Sequence, residues 1–383
     1  MNTKPHISNL SIEAFRGLKS IELSGLGQIN LLVGRNNSGK SSILEAIEYF
    51  CRPADPLALI NLSRRREGSI YNLDPVQTLR WLFPKDERTP DGDFFNLEVS
   101  VIGEVAGVRR TVQSTLVGRL TDVHMSRPVN ADGIEPGPVE PTTTAPPNSD
   151  YQKAVVDLKF LYHEGDDEDG IKNVKMTAYT MVEGVQFGIS QRVEAPAISV
   201  SIVTPVSHRI DSSQTKGLTS IIRSHLKSEL IELVQIFDSN LEDVSIIDIG
   251  GYPEVWVHHA IRGFMPLSSF GDGLRRVMVI AGTLATAQGG VLLIDEIETA
   301  IHVDALDKTF RWLVESATRL KTQVFATTHS LEAVDSMLGV SASEKVDLVT
   351  YKLAGIQNAP GNVKRFDENR LLSIRSELGA DVR

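Results

Sequence analysis

The sequence predicts an α/β fold with a largely parallel sheet around a phosphate-binding loop, and three observations carry that prediction. An apolar run, Ile29 to Val33, leads into Gly34-Arg35-Asn36-Asn37-Ser38-Gly39-Lys40-Ser41. A second run, Val291-Leu292-Leu293-Ile294, ends in Asp295-Glu296. A third, Gln323-Val324-Phe325-Ala326-Thr327, follows a stretch whose apolar residues recur with helical period. Strand, helix, strand is the crossover unit of parallel sheets.

Taken in order, Ile7, Leu10 and Ile12, then Ile21 and Leu23, alternate as strands and form a β-rich opening that feeds the parallel strand at Ile29. From Gly39 the period changes. Ile43, Leu44, Ile47 and Phe50 share one helical face, with Glu45 and Glu48 expected to face away. Between Arg52 and Pro196 the signals weaken into short strand-like pieces, such as 94–99 and 154–158. Residues 127–150 hold six of the seventeen prolines and three successive threonines, a composition expected to stay disordered. The acidic stretch 165–170 lacks calcium-loop spacing and reads as a solvated hairpin turn.

Strong periodicity returns later. Leu218, Ile221, Ile222, Leu226, Leu230, Leu233, Val234 and Phe237 predict one long amphipathic helix; Val277, Ile280, Ala281 and Leu284 predict another; Val303 to Leu320 predict a third. The expected organisation is one head made of 1–51 and 198–383, interrupted by an insertion, 52–197, of short strands and helices.

Composition excludes several classes. The 383 residues are 41% hydrophobic and 23% charged, near globular averages, with a formal net charge of −10. No apolar run is long enough to span a membrane, and the first residues lack a secretory signal, so a cytoplasmic location with no membrane partner is expected. The single cysteine, Cys51, can form no internal disulfide and no cysteine-based zinc site. Net acidity argues against coating nucleic acid by bulk charge.

The chemistry lies in four motifs. In the glycine-rich loop, Gly34, Arg35, Asn36, Asn37, Ser38 and Gly39 would turn backbone N–H groups toward phosphate oxygens. Ser41 and Ser42 open the helix, whose N-terminus favours negative charge. Lys40 would neutralise the β- and γ-phosphates of ATP, and the Ser41 hydroxyl would ligate Mg2+. Asp295 would hold the same metal through water, with Glu296 polarising the attacking water. His329, after the third strand, would sit at the same sheet edge and sense the γ-phosphate. Ser269, Gly271 and Gly273 precede the helix before the acidic strand and form a second anion cradle. One nucleotide cannot fill both cradles of one subunit, so a dimer is expected.

This order of motifs resembles the ABC-type ATPase heads of RecF-like, SMC-like and OLD-family proteins, a P-loop fold with a mixed sheet and an N-terminal antiparallel part. Ile12 to Leu18, with Phe15-Arg16-Gly17, is similar to the strand that opens these heads; Ser268 to Arg276 is similar to the OLD-like signature; Asp295 to His302 is similar to the segment after the acidic strand. The resemblance implies a homodimer or higher homo-oligomer in which Ser269, Gly271 and Gly273 of one head touch the partner's ATP. Asp272 where transporters carry glycine, and Thr299-Ala300 where relatives carry Asn-Gly, point to ATP binding with slow turnover. The segment after His329 is too short for the TOPRIM nuclease of the OLD family, which implies a separately encoded effector, a nuclease or toxin, of the kind found in anti-phage systems. The alternative is a RecF-like DNA-binding ATPase, with Ser63-Arg64-Arg65-Arg66 and Arg109-Arg110 along the DNA path.

Overall fold

The computed structural model describes residues 6–66, 74–84, 95–123, 151–165, 175–182, 195–354, 363–378 and 381–382. The proline- and threonine-rich segment 127–150 lies outside the described residues, as does 166–170 of the acidic stretch.

The opening strands β1 (Ile7–Phe15) and β2 (Leu18–Ser24) form an antiparallel hairpin whose corner is Arg16, in the left-handed region at φ 51°. Phe15-Arg16-Gly17 is therefore the turn of a hairpin and not the body of a strand. The chain continues through β3 (Ile29–Gly34), buried at every position, into α1 (Lys40–Cys51). Two short helices follow, α2 (Pro56–Arg64) and α3 (Pro75–Leu79). Each starts with proline after an aspartate whose side chain accepts a backbone N–H, Asp55 from Ala58 and Asp74 from Val76.

The insertion then runs through β4 (Phe95–Val105), β5 (Val108–Val123), β6 (Tyr151–Glu164) and β7 (Lys175–Val182). These strands are long rather than short, with 16 residues in β5 and 14 in β6. They also continue the opening hairpin. The antiparallel order is β2-β1-β4-β5-β6-β7, with β1 hydrogen-bonded to β4. Local alternation can suggest a strand but cannot name its partner, which is why the sheet crosses the boundary drawn from sequence at residue 52.

The rest of the head is β8 (Val200–Val203), α4 (Asp211–Arg223), α5 (Lys227–Gln235), β9 (Leu241–Ile249), β10 (Tyr252–His259), β11 (Gly263–Pro266), α6 (Asp272–Thr286), β12 (Val291–Ile294), α7 (Val303–Arg319), β13 (Gln323–Thr328), α8 (Leu331–Glu344), β14 (Leu348–Leu353), β15 (Val363–Asp367) and α9 (Glu368–Leu378). The central sheet is ordered β15-β14-β3-β13-β12-β8 and is parallel except at β15. A three-stranded sheet, β11-β10-β9, precedes α6.

The pleat sorts the core. Ile29, Leu31, Val33, Leu292 and Ile294 bury against the cluster that includes α4 to α8. Leu32, Val291, Leu293 and Phe325 bury on the other side with α1 and the antiparallel sheet.

Two local expectations fail for identifiable reasons. The helix predicted over 218–237 is two helices, broken where His225 takes φ 55° and Leu226 N–H bonds back to Ile221 O at 3.0 Å. Leu218, Ile221, Leu226, Leu230 and Leu233 all enter one core cluster, so the apolar period runs unbroken across the break. Glu45 and Glu48 do not face solvent; they are 3% and 5% exposed because α2 and the residues after it cover that side and supply arginines. No described helix is long and apolar enough to cross a membrane.

Candidate functional site

The C-terminal ends of β3, β12 and β13 meet at one edge of the central sheet, the place where open α/β folds bind ligands. A cavity of about 420 Å³ there is lined by Asn36, Asn37, Ser38, Gly39, Lys40, Ser41, Ser42, Arg66, Asp295, Glu296 and His329. The structure thus brings together the loop, both acidic residues and the histidine. Ser269, Gly271 and Gly273 lie outside this cavity, at the start of α6.

The loop's shape follows from a few backbone positions. Gly34 has φ 156°, and a Cβ there would lie 2.7 Å from Ser38 Oγ and 2.9 Å from Leu353 O. Asn37 and Gly39 are left-handed at φ 62° and 96°, so the chain coils before α1 begins. Lys40 Nζ donates to Gly34 O at 2.6 Å and to Arg35 O at 2.9 Å. Its burial pushes the ammonium pKa down, opposed by the charges of Asp295, Glu296 and Glu298. Ser38 Oγ is buried without a hydrogen-bond partner among the described residues, as a donor aimed at an absent acceptor would be.

Asp295 Oδ1 accepts from Thr327 Oγ1 at 2.6 Å and from Ser41 Oγ at 3.1 Å. This joins the end of β12 to β13 and to the first turn of α1. A hydroxyl and a carboxylate on one point are hard oxygen donors of the type magnesium takes, so the residues fit that ion. Glu296 is left-handed at φ 50°, a conformation costing a non-glycine residue about 1–2 kcal/mol. It is held there on every side. Its N–H donates to Thr327 Oγ1 at 2.8 Å, its carbonyl accepts from Arg276 Nη2 at 3.0 Å, and Oε2 accepts from Thr299 Oγ1 at 3.0 Å. The turn aims the carboxylate at the cavity instead of along the strand. His329 is half-exposed, with Nδ1 3.4 Å from Glu298 Oε1, and that same oxygen accepts the His329 N–H at 3.2 Å.

At the signature, Ser269 and Gly271 are exposed. Gly273 packs into the chain's own loop, because a Cβ there would meet Ala300 O at 2.8 Å. Asp272, the departure from the transporter pattern, receives Arg209 at 3.0 Å and Arg275 at 3.3 Å and lies 3.5 Å from buried His208. Hydrogen bonding to Arg209 lowers its carboxyl pKa.

Three residues of the site escape the motif reading. Thr327 closes the apolar run Val324-Phe325-Ala326, and a polar residue at that end is its sequence signal. Arg276, fully buried, sits beside the apolar stripe of α6. Arg66 lines the cavity and donates to Ser42 Oγ at 2.9 Å and Glu45 Oε2 at 2.7 Å.

Of the five arginines expected along a DNA path, Arg65, Arg66 and Arg110 are engaged internally, whereas Arg109 is exposed. Arg65 pairs with Glu48, with Nη2 2.9 Å from Oε1; Arg66 and Arg16 both pair with Glu45; Arg110 is 4% exposed, over the rings of Phe50 and Tyr162. Charges neutralised this way release few counterions on contact with DNA.

Comparison with known proteins bears on the fold and the general activity. Residues 160–335 match an AAA domain model whose description names the AbiEii toxin of a type IV TA system, and residues 6–98 match an AAA ATPase domain model. The chain is 21% identical over 356 residues to an ATP/GTP phosphatase of Helicobacter pylori, covering 86% of each protein. It is 46% identical over 50 residues to the DNA replication and repair protein RecF of Saccharophagus degradans, covering 12% of this chain and 14% of that one. Among solved structures it is similar to the SMC head domain from Thermotoga maritima, at 12% identity and a TM-score of 0.42, covering 94% of this chain and 98% of that one. The chain thus carries two segments, 6–98 and 160–335, that match AAA-type ATPase domains, on an α/β P-loop fold.

Proposed function

We propose that this protein binds ATP with Mg2+, hydrolyses it slowly, and closes as a homodimer around it to control a separately encoded effector. The observation that carries the reading is the convergence of the Ser41 and Thr327 hydroxyls on one carboxylate oxygen of Asp295, beside Lys40 and Glu296. Magnesium, when bound, supplies charge neutralisation at the phosphates. The chain's own residues do the rest. Lys40 and the loop N–H groups hold the β- and γ-phosphates, Ser41 and Asp295 hold the metal, Glu296 takes the proton of the attacking water, and His329 orients it.

The dimer is supported by what the cavity lacks. Exposed Ser269 and Gly271 at the N-terminus of α6 lie outside it, so they complete an ATP site only on a second copy. The neighbouring segments carry exposed apolar side chains, Val206, Phe264 and Val303, at 57%, 57% and 53%, as a surface covered by a partner would. Slow turnover is supported by Asp272, where transporters carry glycine, and by Thr299-Ala300, where the resembled heads often carry Asn-Gly. Control of a nuclease or toxin, in anti-phage defence, rests on fold-level analogy, together with the toxin named in the matched family description. The RecF-like DNA reading is weakened because two of its five arginines, Arg65 and Arg66, are paired with Glu48 and Glu45.

The test is light scattering after size exclusion on Glu296→Gln, with ATP and with ADP. A dimer formed with ATP and lost with ADP is expected; an unchanging monomer would sink the reading.

A further inference from the structure

Arg276 is among the largest fully buried side chains, 0% exposed, and among the described residues no carboxylate lies in salt-bridge contact with it. Its guanidinium instead donates to three backbone carbonyls. Nη1 donates to Thr204 O, just past the end of β8. Nη2 donates to Asp295 O at 2.8 Å and to Glu296 O at 3.0 Å, the two peptides that flank the left-handed turn. Burying a guanidinium is expensive, and three neutral acceptors for its five N–H groups, with Nε unpartnered among the described residues, are incomplete compensation. A purely structural contact between α6 and the sheet would be met by an apolar side chain without that penalty.

We infer that Arg276 is the positioning residue of the hydrolytic step: from the first turns of the signature helix it clamps the Asp295-Glu296 backbone so that Glu296 stays turned toward the ATP cavity. The inference rests on the reading of Glu296 as the group that activates water. Planar N–H donors on one nitrogen reach two successive carbonyls, which fixes the orientation of both peptides. With the clamp removed, the left-handed turn loses the acceptor contacts that offset its strain, and Glu296 relaxes toward extended backbone, where its carboxylate would swing to the other side of the strand. Because the clamp springs from α6, the Glu296 turn and the helix carrying Gly271 are tied into one unit.

The experiment compares ATP affinity and turnover in Arg276→Met, which keeps the length and removes every donor, and Arg276→Lys, which keeps the charge. Each is made alone and combined with Glu296→Gln, with melting temperature measured throughout. Arg276→Met is expected to lower kcat at least about tenfold with ATP affinity unchanged within about twofold, and Arg276→Lys to recover part of that loss. Combined with Glu296→Gln, neither is expected to slow turnover further, since both act on one group. Losses that multiply in the double variant would overturn the inference, as would a kcat that stays at the parental level in a folded Arg276→Met. If Arg276→Met does not fold, Arg276→Lys decides by the same comparison. Normal hydrolysis by Glu296→Gln alone would instead remove the reading of Glu296 itself, an outcome distinct from failure of the clamp.

Discussion

The carbonyl of Ala300 sits where a side chain at Gly273 would begin: a Cβ there would be 2.8 Å from that oxygen. Gly273 is thus required by its own chain, whatever it does toward a partner. Gly273→Ala should destabilise the protein by about 1–3 kcal/mol, as overpacking does, read as a lower melting temperature with or without nucleotide. An unchanged melting temperature would show that the loop at Ala300 yields.

Gly271 separates the two roles. A Cβ there meets nothing within 4 Å, and it occupies the N-cap of α6 at φ −62°. Aspartate is a good N-cap, so Gly271→Asp should fold as well as the parent or a few tenths of a kcal/mol better. Its carboxylate would repel a partner's γ-phosphate and abolish turnover. Mixed with Lys40→Ala, it should restore activity that neither variant shows alone, because one of the two composite sites in the mixed dimer is intact. No recovery on mixing argues against shared sites.

Thr327 bonds both Asp295 Oδ1, at 2.6 Å, and the Glu296 N–H, at 2.8 Å. Thr327→Val keeps the shape and leaves those groups without their partner, at a cost of about 1–3 kcal/mol. Stability and kcat should both fall, and Thr327→Ser should recover most of each. Valine tolerated in both assays would show that the hydroxyl is dispensable.

Lys40 makes two charge-assisted bonds to the loop and is the cation among the loop residues that line the cavity. Lys40→Ala should weaken ATP binding at least about 10–100-fold by calorimetry, the value of one or two such bonds. Normal affinity would mean that the loop is not the nucleotide site.

The arginine cluster gives a test of the DNA alternative. Arg65→Ala and Arg66→Ala leave buried Glu48 and Glu45 short of partners, so lower stability is expected, with little salt-dependent change in duplex binding. Binding at low salt that disappears in these variants while their melting is unchanged would restore the RecF-like reading.

Histidine 208 sets a pH dependence. Burial lowers the pKa of His208 below its ordinary value, with Asp272 opposing the shift. The folded protein therefore takes up this proton less readily than the unfolded chain. The contribution is full above the ordinary histidine value of about 6.5 and is lost as pH falls from there toward the lower folded value. Melting temperature should drop between about pH 7.5 and pH 5.5, with a shallower drop in His208→Gln; equal slopes would assign the effect to other groups.

Local pattern was sufficient for the strands at Ile29, Val291 and Gln323, for α1, α6 and α7, and for the place of the glycine-rich loop, of which Asn36 to Ser42 line the cavity while Gly34 and exposed Arg35 do not. Those features are encoded by neighbours in the chain: periods of two or 3.6 residues, glycines before a helix, and carboxylates at the end of an apolar run. Asp295 and Glu296 are legible for that reason. The turn at His225 is not, because the apolar stripe passes over it without a change of phase.

Tertiary structure alone decided which groups face one another. That Glu45 and Glu48 turn inward toward Arg16, Arg65 and Arg66, that β4 pairs with β1, and that Arg276 reaches the carbonyls of Asp295 and Glu296 are relations between segments far apart in sequence. A buried ion pair or a strand pairing is an energy between two partners, and one residue's own identity contains only half of it. Neighbours in the chain are enough to place the glycine-rich loop, the acidic strand end and their order; the meeting of the Ser41 and Thr327 hydroxyls on Asp295 Oδ1 needs β3, β13 and β12 packed side by side.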